Sequence, residues 1–412
     1  MKVSAPYTYA TLPSGLRVVH VARRTVAEYF GVAVKTGSRN DPAGLPGLAH
    51  FVEHTIFKGT ECRRSHHIIN RMERIGGELN AYTTKEGTTV YTVYPCGHTA
   101  RAAELVADLV IRSVFPESEL EKEKEVVAEE IDSYLDTPSE AVFDDFEDNV
   151  FAGTTLGHNI LGTAEALKTM TSQDCRSFLT GHYAADEMVA FYLGPMNPDR
   201  LFRLVERHFS DLPATALSQD VSSPHFQYKP TTIRRDNLNT HQAHTVIGCP
   251  IPGMFSESRY AFSLLSNILG GPGMNSLLNI ALRERRGLVY TVESSINLYT
   301  DCGLFNIYYG CDPADNDRCS SLIARQLDEL AEKPLTERAL SMAKRQYLGQ
   351  LTVSSSSNEQ TALSAARSTL FRGKAPDMEL TGRIICALTP DDIREAAVTL
   401  ADKSLRTSLT LG

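Results

Sequence analysis

Two hydrophobic rhythms alternate along the chain. Apolar residues at every second position mark strands, and apolar residues three to four apart mark helices. "LRVVHVA" (Leu16–Ala22) and "YFGVAVKTGS" (Tyr29–Ser38) carry the first rhythm. A helix is expected over Gly44–Lys58, then a strand pair in "LNAYTTKEGTTVYTVYP" (Leu79–Pro95). Two helices follow, "TARAAELVADLVIRSVF" and "ESELEKEKEVVAEEIDSYLD", then a helix at "SQDCRSFLTGHY" and a strand at "EMVAFYLGP".

The order then recurs. "AHTVIGCPI" reads as a strand and "RYAFSLLSNIL" as a helix. "GLVYTVESSINLYTDCGLFNIYYGCDP" reads as a strand pair, "CSSLIARQLDELAEK" and "TERALSMAKRQYLGQL" as two helices. A last helix, "PDDIREAAVTLA", precedes a last strand, "RTSLTLG". The two runs match in order, which predicts duplication. The expected fold class is α+β: two related α/β sandwiches, each an antiparallel-rich sheet with helices packed on one face. The aperiodic stretch Leu212–Pro230 is rich in Pro, Ser and Thr. It divides the chain into residues 1–215, a linker at 216–230, and residues 231–412.

Composition narrows the function classes. The 412 residues suit two or more domains, and 42% hydrophobic with 22% charged residues is ordinary for a globular protein. A net charge of −9 argues against general nucleic-acid binding and against a polybasic membrane anchor. No apolar run approaches the ~18 residues a membrane helix needs, and "MKVSAPYTYATLPSGLRVVH" lacks a secretory apolar core. The eight scattered cysteines form no CxxC pair. They are expected to be reduced, mostly buried thiols of a cytoplasmic protein.

The segment "GLAHFVEHTIFKGT" carries the chemistry. On a helix, His50, Glu53 and His54 share one stripe, while Leu45, Leu48, Phe51, Val52 and Ile56 gather on the other side. Two imidazoles four residues apart can hold one zinc ion, and the carboxylate between them can take a proton from an attacking water. The order HxxEH is the inverse of the HExxH arrangement. The trio would line whatever lies across the helix. Two surface histidines on a helix would give the same letters.

A third ligand must come from elsewhere, and "ELEKEKEVVAEEIDSYL" is the best source. Val127, Ile131 and Tyr134 define its apolar face, and at about 100° per residue Glu123 and Glu130 fall on that face. Glu129 points away. An inward carboxylate is costly unless paired or bound to metal, so Glu130 is the expected ligand and Glu123 a residue that orients one. A helix phased one residue differently would remove this argument.

These residues resemble the pitrilysin and insulinase family of zinc metallopeptidases, most of all its mitochondrial processing peptidase branch and bacterial relatives. The resemblance covers nearly the whole chain, through "LPSGLRVV", "GSRNDPAGLPGLAHFVEHTIFKGT", "GGELNAYTTKEGTTVYTVYP", "EKEKEVVAEEI" and "ILGGPGMNSLLNIALRERRGLVYTV". It implies one Zn2+ per chain on His50, His54 and Glu130, with Glu53 as the catalytic carboxylate. It also implies assistance from Arg283 and Tyr290 in the second half. Asn80 and Ala81 would sit where an extended peptide lies along a sheet edge, recognised by main-chain pairing. Gly270, Gly271 and Gly273 would form a substrate-gripping loop, although Pro272 stiffens it. The second half has no HxxEH, so one zinc site is expected.

The expected activity is zinc-dependent endopeptidase cleavage of short or unfolded peptides in an enclosed chamber. A homodimer is expected, with Arg283 and Tyr290 acting across its interface. Two other readings stay open: a peptide-binding or assembly subunit without proteolytic activity, and a purely structural zinc site.

Overall fold

The structure is a computed structural model and describes residues 7–217, 228–235 and 241–412. Most of the expected linker at 216–230 therefore lies outside the described residues. The chain forms two compact units. One comprises Met1–Asp132, His158–Ser223 and Ser354–Asp377; the other comprises Ser133–Gly157, Pro224–Val353 and Met378–Gly412. Each unit is thus discontinuous, where the sequence reading divides the chain into two continuous halves.

The first unit holds a six-stranded sheet in the order β1-β2-β6-β3-β5-β4. Its strands are β1 (Tyr7–Thr11), β2 (Arg17–Ala22), β3 (Ala27–Val34), β4 (Glu78–Thr83), β5 (Thr88–Pro95) and β6 (Met188–Gly194). All pairings are antiparallel except β2 with β6. The second unit holds five strands in the order β7-β11-β8-β10-β9. These are β7 (Thr232–Arg235), β8 (Ala243–Ile251), β9 (Val289–Leu298), β10 (Gly303–Cys311) and β11 (Thr407–Leu411). Here β7 with β11 is the one parallel pair. Matching β2-β6-β3-β5-β4 to β7-β11-β8-β10-β9 preserves every neighbour and every direction. That is the duplication expected from the order of elements, now present in hydrogen-bond topology.

Strand alternation explains the layers, because successive side chains point to opposite faces. In the first sheet, Val18, Phe30, Val32 and Val90 point into a core with Phe51, Leu105, Leu109 and Val127 from helices. Val19, Val21, Ala33, Phe191 and Leu193 point the other way. The expectation of helices on one face omits one helix per sheet. The second face of the first sheet is covered by Asn358–Arg372, through Ala362, Ala365, Ala366 and Leu370. The second face of the second sheet is covered by Pro138–Val150, through Ala141, Val142 and Phe146 against Val246, Leu304 and Leu409. Gly248 of β8 makes room for this: a Cβ there would lie 3.1 Å from Phe146 Cζ. Each covering helix comes from the other half of the sequence, so the halves exchange equivalent helices.

The helix expected over Gly44–Lys58 is shorter, Leu48–Thr55. Gly47 stops it from extending backwards, with φ +91°, a region open to glycine and strained for other residues. Four cysteines are buried (Cys175, Cys249, Cys311, Cys319), but Cys62, Cys96 and Cys386 are exposed, against the expectation of mostly buried thiols. No helix among the described residues is long and apolar enough to cross a membrane.

Candidate metal centre

The helix Leu48–Thr55 buries almost every residue it has, the polar ones included. His50 and Glu53 are buried together with Leu48, Phe51 and Val52. His50 and Glu53 therefore do not line open solvent, whereas the His54 side chain is 21% exposed. Thr83 Oγ1 at the end of β4 donates to Glu53 Oε2 at 3.1 Å. Burial pushes the Glu53 carboxyl above its ordinary range, opposed by His54 and by the Thr83 hydroxyl. Burial, with His54 beside it, pulls the His50 imidazole down to about 3. His50 is thus neutral at ordinary pH, the form that binds a metal.

Glu130 approaches both imidazoles from the helix Glu117–Leu135. Its Oε2 lies 3.4 Å from His54 Nε2 and 3.8 Å from His50 Nε2. The two rings stand edge to face, with centroids 4.5 Å apart. His50, His54 and Glu130 are the one such donor group among the described residues, each offering a ligand atom within 4.8 Å of the others. The spacing can be tested against a metal. Tetrahedral ligands at about 2.1 Å from zinc lie about 3.4 Å from one another. Glu130 lies at that spacing from His54 and 0.4 Å beyond it from His50, both long for direct hydrogen bonds. Two imidazoles and one carboxylate are a donor set that zinc accepts.

Glu130 does not sit as the face argument supposed. Its side chain is 44% exposed, whereas the buried residues of its helix are Leu120, Glu123, Val127 and Ile131. It leaves the helix at the border of the apolar face and reaches the site with its carboxylate alone. Glu123 is the inward residue. Its Oε1 lies 3.1 Å from His54 Nδ1, and its Oε2 2.5 Å from Lys58 Nζ. A carboxylate on Nδ1 favours the tautomer with the proton there, leaving the Nε2 lone pair for a metal.

The remaining expected residues fall in two places. Asn80 and Ala81 are on β4, the edge strand beside the helix of the motif. The others belong to the second unit. Arg283 is in a π-helical turn, Asn279–Glu284, and is exposed. Tyr290 is on β9 and is 68% exposed. Gly270 ends the helix Arg259–Gly270, and a Cβ there would come within 2.5 Å of Ser294 N. Gly271 and Gly273 are crowded by the Asn267, Asn275 and Gln346 side chains. These three glycines have packing reasons of their own.

Sequence reasoning did not single out Thr83, Lys58, Asp41 or His158. Asp41 accepts from Gly47 N at 2.7 Å and Ala49 N at 2.8 Å. His158 Nε2 lies 3.1 Å from the same carboxylate. No local pattern announces a pair 117 positions apart.

Comparison with known proteins gives the family. The family described as "Insulinase (Peptidase family M16)" matches residues 17–164. "Peptidase M16 inactive domain" matches residues 169–347. An uncharacterised zinc protease of Bacillus subtilis is 33% identical over 365 residues, covering 88% of each chain. An uncharacterised zinc protease of Streptomyces coelicolor is 31% identical over 398 residues, 94% of this chain and 85% of the relative. Among solved structures, a protease from Helicobacter pylori superposes with a TM-score of 0.88 at 22% identity, over 99% of this chain and 100% of that one. A peptidase M16 inactive domain from Pseudomonas fluorescens gives 0.90 at 19% identity, over 99% and 98%. At these identities the structures speak for the fold alone. The sequence relatives carry more: this chain belongs to the insulinase family of peptidases.

Proposed function

We propose that the protein is a zinc-dependent endopeptidase acting on short or unfolded peptides. One observation carries this reading: the Nε2 atoms of His50 and His54 and the Oε2 of Glu130 converge beside the buried carboxylate of Glu53. Zinc, when bound, would supply Lewis-acid activation of water and of the scissile carbonyl. His50 and His54 would hold the ion as neutral imidazoles and Glu130 would add the third donor. Glu53 takes the proton as water attacks and returns it to the leaving amine. Its raised proton affinity suits both steps, and Thr83 keeps one oxygen oriented. Glu123 fixes the His54 ring through Nδ1.

Arg283 and Tyr290 would donate hydrogen bonds to the peptide or the developing oxyanion, since a cation and a phenol are good donors there. Main-chain pairing along Asn80 and Ala81 would select extended peptides by shape. Gly270, Gly271 and Gly273 would add backbone contacts. The working assembly in this reading is a homodimer enclosing a chamber, with Arg283 and Tyr290 acting across the interface. The compartment in this reading is the cytoplasm, in keeping with eight scattered cysteines that form no CxxC pair.

The decisive experiment is cleavage of a quenched, unstructured peptide by zinc-loaded protein. Stripping the metal should abolish cleavage, and zinc should restore it. Tight zinc binding without cleavage would overturn the hydrolase reading and favour a peptide-binding role. Mixing Glu53→Gln with Arg283→Ala subunits addresses the dimer. Recovered activity is expected, and none would count against action across the interface.

A further inference from the structure

The start of the motif helix is held in an unusual way. Helix N-termini need acceptors for their unpaired N–H groups. The residue in the capping position is Gly47, which has no side chain. Asp41 does the work from six residues upstream, taking the N–H groups of both Gly47 and Ala49. Its side chain is only 2% exposed. Burial pushes its carboxyl upward, against the pull of His158 and the two backbone donors.

His158 joins this cap to a second segment. Its Nε2 lies 3.1 Å from Asp41 Oδ2 and 2.9 Å from Ser38 O. Its carbonyl accepts from Lys85 Nζ, in the turn between β4 and β5. Two glycines close the same joint. A Cβ on Gly47 would lie 2.6 Å from Leu161 O, and one on Gly162 only 2.0 Å from Pro46 O. Ser38–Asp41 and His158–Gly162 therefore close on the first turn of the helix that carries His50, Glu53 and His54, and Lys85 braces the second of these segments.

We infer that Asp41 and His158 are positioning residues for the metal centre, setting the rotation of the motif helix about its axis. Ala49, whose N–H Asp41 holds, directly precedes His50, and Glu53 follows one turn later. An active constellation tolerates about 0.5 Å and 10–20° of error. A rotation of that order carries an imidazole tip by about 1 Å, a misplacement that can cost about 100-fold in rate. A doubly used carboxyl cap locked by a histidine resists that rotation better than a glycine can.

The inference rests on the metal site proposed above, so its test includes readouts besides cleavage. Asp41→Asn, His158→Ala and His158→Gln would be compared with wild type in the full chain. The measurements are zinc affinity by chelator competition, the visible spectrum of the cobalt-loaded protein, kcat and KM, and Tm. Asp41→Asn and His158→Ala should each weaken zinc binding by about 10–100-fold and alter the cobalt bands. They should lower kcat while leaving KM nearly unchanged. His158→Gln, which keeps an N–H near Asp41, should recover most of the loss. If His158→Ala does not fold, His158→Asn, too short to reach Asp41, replaces it. Zinc affinity within threefold of wild type and an unchanged cobalt spectrum in these variants would overturn the inference, whatever Tm does. A wild type that binds zinc yet cleaves nothing would sink the hydrolase reading alone. A wild type that binds no zinc would sink both.

Discussion

The two units have the same five-strand arrangement, to which the first adds β1, and they differ in what the helix after the matching strand presents. In the first unit that helix, Leu48–Thr55, buries His50 and Glu53 among apolar residues. In the second, Arg259–Gly270 buries Ala261, Phe262, Leu264, Leu265 and Leu269 instead. The partner helices differ in the same sense. Glu123 and Glu130 of Glu117–Leu135 reach the imidazoles. In the second unit the corresponding helix, Glu337–Ser354, offers Gln350 to Asn267 at 2.6 Å and Gln346 to Asn275. Neutral amides hydrogen-bonded to each other occupy the topological place of the charged donor set. The scaffold is common to both, and a few side chains decide whether it can hold a metal. This also makes sense of a second half that matches a domain described as inactive.

The largest expected effect tests that division directly. Glu53→Gln should lower kcat by about 10²–10⁴, the usual worth of a general base, while zinc content stays that of the wild type. Asn267→Ala in the matching helix should leave kcat and zinc content unchanged. A comparable loss from both variants would break the comparison.

The next effect tests the exchanged helices. Phe146 is fully buried against the second sheet, although it lies in the first half of the sequence. Phe146→Ala should cost about 3–5 kcal/mol, lost transfer energy plus a cavity. Amide exchange should then rise in β8, β10 and β11 and stay low in β2, β3 and β6. Protection lost first in the first sheet would mean that the helix stabilises the unit of its own half.

These exchanged helices also show where the sequence was mute. Most of the strands and helices follow from local periodicity, although β1 and β7 do not, and the matching order of elements points to the duplication. Neither Pro138–Val150 nor Asn358–Arg372 gave a usable signal. The first follows an acidic helix and carries five acidic residues of its own, and the second buries a stripe of small alanines. Nothing local says that a helix will cover the sheet of the other unit. The site divides the same way. His50, Glu53 and His54 are legible because one helix fixes their spacing. Glu130 was reached by a face argument that buried it too deeply. Asp41 and His158 meet only through the fold.

A smaller effect concerns the residue behind a ligand. Glu123→Gln keeps a hydrogen-bond acceptor near His54 Nδ1 but removes the charge that Lys58 and the imidazole share. Zinc affinity should fall by about 10–100-fold. No carboxylate meets His50 Nδ1 among the described residues, so that ring should keep its geometry and the cobalt bands should shift without being lost. Unchanged affinity would mean that Glu123 is a structural partner of Lys58 only.

The smallest effect lies in the second unit, at its counterpart of that contact. Gln350→Ala removes the amide that accepts from Asn267 Nδ2. An ordinary hydrogen bond contributes about 0.5–1.5 kcal/mol net. Asn267 is only partly buried, so water can replace the lost partner, and the lower part of that range applies. Tm should fall by a few degrees at most, with zinc affinity unchanged. Gln350→Glu is the sharper variant, because it puts a carboxylate where the first unit has one. Without imidazoles opposite, it should gain no zinc and should keep the bond to the Asn267 amide. A second equivalent of bound zinc in that variant would show that a carboxylate alone converts the scaffold, and that the histidines matter less than the comparison of the two units implies.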